Sequence, residues 1–93
     1  MNIDTDKGDD TVTLIDVAAN GQRIDINTRD GEDKVSLTRV VADQFFAKLG
    51  NGRDEIRVRD SKFRVTNLDG EADLDKFFDL LGNDFGTLTL TSF

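Results

Sequence analysis

The phrase KGDDTVTL at residues 7–14 returns as DGEDKVSL at residues 30–37. Extended backward, IDTDKGDDTVTL (3–14) lies over INTRDGEDKVSL (26–37) without a gap. The pairs Ile3/Ile26, Thr5/Thr28, Gly8/Gly31, Asp10/Asp33, Val12/Val35 and Leu14/Leu37 are identical. A third copy, AKLGNGRDEIRV (47–58), keeps Gly52 and Asp54 and places Ile56 and Val58 at the apolar pair. A fourth, VTNLDGEADLDK (65–76), keeps Val65, Gly70 and Leu74. It drops the Asp from register and sets Lys76 where an apolar residue is expected. A unit of roughly 18–23 residues cannot bury an apolar face alone, so its copies must stack.

Within each unit the apolar period is two, the signal of a strand with one face buried. TVTL, KVSL and EIRV point Val12/Leu14, Val35/Leu37 and Ile56/Val58 to one side. A second alternating run follows in every unit, with Ile24/Ile26, then Phe45/Ala47/Leu49, then Phe63/Val65, then Leu88/Leu90 directed inward. Between the copies, G-x-D-x-apolar marks the corner that leads into the first strand. Gly supplies the positive φ of a tight corner, and Asp bonds nearby backbone N–H groups. The chain is therefore expected to be all-β, a right-handed parallel β-helix (β-solenoid) of about four coils, with a short helix or cap at its C-terminal end. It reads as a single domain, 1–93, with repeats near 3–25, 26–46, 47–64 and 65–93. On the outward face, Lys34 is expected beside Glu55, Arg57 beside Asp75 and Asp25 beside Lys48, each pair contributing roughly 0.2–1 kcal/mol and helping to set register.

Two stretches compete with this assignment. ADLDKFFDLLGN (72–83) spaces Leu74, Phe77, Phe78 and Leu81 as an amphipathic helix would, with Gly82 as a C-cap. VADQFFAKLGN (41–51) has similar spacing. The alternative fold is thus α+β, with helices near 42–49 and 72–81.

Composition narrows the function classes. The formal net charge of −7 disfavours nucleic acid and anionic membrane as partners, and no apolar run approaches membrane-spanning length. Cys and His are both absent, which removes disulfides, thiol chemistry and the imidazole base. Of the 19 acidic residues, all but Glu32, Glu55 and Glu71 are Asp, a turn former and a hard oxygen ligand for cations such as calcium. Acidic pairs are so frequent that their proximity does not indicate a glycosidase. No enzymatic activity is expected.

The half-motif G-x-D-x-apolar resembles the calcium-binding nonapeptide repeat of secreted bacterial toxins and proteases. LGNGRDEIR (49–57) retains Gly50, Gly52, Asp54 and Ile56, one glycine short of that repeat. Most of the chain is more similar to the parallel β-helix repeats of bacterial, planctomycete-type extracellular surface proteins, through FFAKLGNGRDEIRV and LGNDFGTLTLTSF. That resemblance implies an exported parent protein, an extracellular or cell-surface location, and a scaffold or adhesin-type role.

The candidate site is the column Asp10, Asp33 and Asp54, with Asp6, Asp9, Asp30 and Glu32 at the same corner. Like carboxylates in register at a coil spacing of about 4.8 Å repel one another unless compensated. Calcium between coils would compensate them, making the chain a calcium-responsive folding module. Alternatively each Asp turns to the backbone as a turn former. An EF-hand is not supported at 65–76, because Val65 and Lys76 stand where the first acid and the bidentate Glu are required. The expected partner is a protein, or a second copy, engaged through open solenoid edges.

Overall fold

The computed structural model describes residues 1–5, 7–71 and 75–91. Nine strands are assigned among them: β1 (Asn2–Asp4), β2 (Thr11–Ile15), β3 (Ala18–Asn27), β4 (Lys34–Thr38), β5 (Val41–Lys48), β6 (Glu55–Arg59), β7 (Lys62–Asp69), β8 (Lys76–Asp79) and β9 (Thr87–Thr91). They form two sheets, ordered β1-β3-β5-β7-β9 and β2-β4-β6-β8, and every pairing is parallel. Each coil contributes one strand to each sheet, and the chain climbs as a β-solenoid of about four turns.

The repeats stack as the sequence alignment requires. Val12, Val35, Ile56 and Phe77 form one inward column, and Leu14, Leu37 and Val58 form the next. The facing sheet supplies Ile3, Ile26, Ala47, Leu68 and Leu90 in a third. The two inner faces meet in one continuous core in which Ile24, Phe45, Leu49, Ile56, Val58 and Leu68 are wholly buried. Phe45, Phe63, Phe85 and Phe77 extend this core as an aromatic chain, with successive ring centroids 5.0, 6.3 and 5.4 Å apart.

The unequal repeat lengths have local causes. Asn2 pairs with Asp25 and Ala19 with Ala42, an offset of 23, but Arg23 pairs with Gln44, an offset of 21. The extra residues are absorbed in a bulge between Ala19 and Arg23, where Gly21 has φ 72°. A further residue enters after β8, because Val58 pairs with Asp79 whereas Lys62 bridges Asp84. That insertion is accommodated in the turn at Leu81–Gly82.

The helical alternative does not hold. Residues 41–48 are strand β5, and Lys76–Asp79 is strand β8; Ala72, Asp73 and Leu74 of the second candidate lie outside the described residues. In the first stretch, Phe45, Ala47 and Leu49 face inward at period two. In the second, Phe77 packs on the core whereas Phe78 is 36% and Leu81 is 78% exposed, so the apparent helical stripe is not a buried face. Backbone pairing with the neighbouring coils overrides a weak local preference. Among the described residues there is no helix, and none that could cross a membrane.

Register also corrects three expectations. Lys34 does stand beside Glu55, but Arg57 stands beside Phe78, with its guanidinium 5.2 Å from the ring centroid. Asp25 stands beside Phe46, and Lys48 beside Asn27. In β7 the inward residues are Phe63, Thr66 and Leu68, while Val65 is only half-buried. The wholly buried Thr66 hydroxyl donates to the Phe85 carbonyl at 2.9 Å.

Candidate functional site

The corner before β2, β4, β6 and β8 places Asp10, Asp33, Asp54 and Asp75 in one column. The fourth repeat therefore does keep the Asp in register, and Lys76 is an outward residue above Glu55. Alignment on Gly70 concealed this; counting one 21-residue step from Asp54 finds Asp75 directly.

Backbone and side chain share the bonding in this column. Lys34, Glu55 and Lys76 donate their N–H groups to the carbonyls of Asp10, Asp33 and Asp54, each at 2.9 Å. In the other direction, the N–H of Asp10 donates to Asp33 Oδ1 and that of Asp33 to Asp54 Oδ1, both at 2.8 Å. The N–H of Asp54 donates to Asp75 Oδ1 at 2.7 Å. The carboxylates of Asp33, Asp54 and Asp75 thus each satisfy an N–H that the turning chain lifts out of the regular ladder. The turn-former role anticipated for these residues acts between coils rather than within one.

The column is dry. Asp33 and Asp54 are 1% and 2% exposed, and the Oδ2 atoms of Asp10, Asp33 and Asp54 are buried without a donor. Burial accordingly pushes the Asp54 carboxyl up to about 7. The Asp33 N–H opposes that shift, and the charges of Asp75 and Asp33 add to it. Asp33 is raised as well, again chiefly by burial, against the N–H of Asp10.

The other corner residues face away. Asp9 Oδ1 accepts the Glu32 N–H at 2.9 Å, and Asp30 Oδ1 accepts from Asn51 Nδ2 at 3.1 Å, both at the exposed surface. Asp6 lies outside the described residues. Over the column runs an open groove of about 540 Å³, flanked by Asp9, Glu32, Lys34, Arg53, Glu55 and Lys76.

Calcium requires six to eight oxygens at about 2.3–2.6 Å. Asp33 and Asp54 have each committed one oxygen to a backbone N–H, and the described residues contain no group of three or more acidic side chains that could hold a metal ion. In this arrangement Asp10, Asp33 and Asp54 do not fit a calcium site.

A second ladder lies at the corner after β6, where sequence reasoning saw nothing. The buried Ser61 accepts the Val40 N–H on Oγ at 3.1 Å and donates its own N–H to Asn83 Oδ1 at 2.9 Å. Asn83 Nδ2 donates in turn to the carbonyls of Val58 and Leu80. Val17 and Val40 hold the corresponding positions in the earlier coils, so the polar pair appears only in aligned columns. Thr28 is a further buried link, donating its hydroxyl to the Leu49 carbonyl at 2.9 Å.

Comparison with known protein families, curated proteins and solved structures yields no match.

Proposed function

We propose that this chain is a structural repeat module of an exported bacterial protein, a stiff scaffold that joins further β-structure edge to edge. The observation that carries this is the destination of its buried polar side chains. Asp33, Asp54, Thr28, Ser61 and Thr66 all bond from coil to coil, so they serve the stack rather than a ligand. The last described coil supports the joining role. Among the described residues β9 pairs only with β7, and its Leu88 and Leu90 occupy inward columns yet are 40% and 45% exposed. An open strand edge beside apolar side chains is a template for another chain. Export and surface location are carried by the resemblance of the repeats to those of extracellular proteins.

The test is sedimentation equilibrium over a wide concentration range, comparing the protein with its Leu90→Lys variant. The expected result is a mass that rises with concentration and falls back to that of one chain in the variant. A monomer at all concentrations in both would refute edge-to-edge joining.

A further inference from the structure

The column of carboxylates poses an electrostatic problem that the neighbouring side chains leave unsolved. Charges stacked about 4.8 Å apart interact most strongly where water is excluded. Asp33 and Asp54 are almost wholly buried, one above the other. Of the ion pairs formed by the described residues, none reaches Asp10, Asp33 or Asp54. The charged groups around Asp54 come from every coil packed against it: Asp33, Glu32 and Lys34 on one side, Asp75 and Lys76 on the other, and Arg53 and Glu55 from its own coil. Asp9 and Asp10 belong to the coil beyond Asp33. The cations Lys34, Arg53 and Lys76 are exposed, whereas the charges in line with Asp54 are acidic.

The hydrogen-bond pattern indicates what compensates the stack. An Oδ2 atom that finds no donor as a carboxylate acquires an O–H as a carboxylic acid, and can then donate to the neighbouring carboxyl. We propose that the column holds protons where the repeat motif would place a metal: Asp33 and Asp54 share hydrogen-bonded protons drawn from the solvent, and the solenoid loses stability as they are released. Each proton held makes the net charge one unit less negative and removes one unpaired buried charge.

The direction of the pH dependence follows by linkage. Asp54 binds its proton more tightly folded, with a value of about 7, than unfolded, where the ordinary value is 3.8. Its contribution is complete below 3.8, declines as pH rises from there towards 7, and is flat above that. Asp33, raised in the same direction, adds to the same decline.

The experiment uses the whole chain in EDTA. Carboxyl carbons are followed by NMR from pH 3 to pH 9, with Asp54→Asn identifying the Asp54 resonance, and thermal melts are recorded over the same range. The expected result is a buried Asp carboxyl titrating near pH 7, and a Tm that falls by about 5 °C or more between pH 4.5 and 7.5. Asp54→Asn keeps the Oδ1 acceptor and brings its own N–H donors, so it should flatten that fall. Millimolar calcium at pH 7.5 should leave Tm unchanged. Titration of every carboxyl below about pH 5, or a Tm restored by calcium at pH 7.5, would overturn the proposal. If Asp54→Asn does not fold, the wild-type titration and the calcium arm decide it. Edge-to-edge association is read by mass, so its failure and that of the proton column are distinguishable.

Discussion

Alanine substitutions at Gly8 and Gly52 make a matched pair, because the two glycines occupy the same corner with φ of 112° and 110°. Both force an L-residue into a conformation it rarely adopts, which costs roughly 1–3 kcal/mol. Their surroundings differ. A Cβ at Gly8 meets nothing within 4 Å, whereas one at Gly52 lies 2.1 Å from the backbone oxygen of Gly31. No side chain can move aside there, so the coils must part by about 1.3 Å to reach ordinary contact. Parting them strains the Gly31 N–H to Asn51 carbonyl bond of 3.0 Å and the Asp33 N–H to Asp54 Oδ1 bond of 2.8 Å. Losing one or both adds about 1–3 kcal/mol. Gly52→Ala is therefore expected to cost roughly 2–6 kcal/mol, a large part of the stability of a domain this size, and Gly8→Ala only about 1–3 kcal/mol. Urea denaturation followed by far-UV circular dichroism measures both values. Two variants equal to within about 0.5 kcal/mol would refute close coil approach as the reason for glycine at this corner.

Phe45→Ala, which empties a wholly buried site packed against the tilted ring of Phe63, should cost about 3–5 kcal/mol by the same urea assay; a loss below about 1 kcal/mol would mean that the core closes over the gap. At low pH an opposing limb should appear. Hydrogen bonds from Arg29, Arg39 and Arg64 hold the carboxyls of Asp4, Asp16 and Asp43 below the usual carboxylate range. Their stabilisation is present above the unfolded value of 3.8 and is lost as pH falls through the depressed folded values. With the proton column, this predicts a melting maximum near pH 4; a Tm that continued to climb to pH 2 would contradict it.

Much of the architecture was determined by sequence alone. An apolar period of two, repeated at nearly constant spacing, leaves stacking as the way for such short units to bury Val12, Val35 and Ile56, and the structure aligns these three in one column. Gly8, Gly31 and Gly52, each followed two residues later by Asp, mark the corner because tight turns demand those residue types locally. Tertiary structure decided what depends on atoms about 21 residues away. It turned the Oδ1 atoms of Asp33 and Asp54 onto the N–H groups of the preceding coil. It brought Asp75 into the column despite the missing motif, joined Ser61 to Asn83 at the second corner, and drew the segments around Phe45–Phe46 and Phe77–Phe78 into strands. A helix satisfies its backbone from within one segment, but a solenoid strand satisfies it from the coils on either side. Its final register and the partners of its buried carboxylates therefore exist only once those coils are in place.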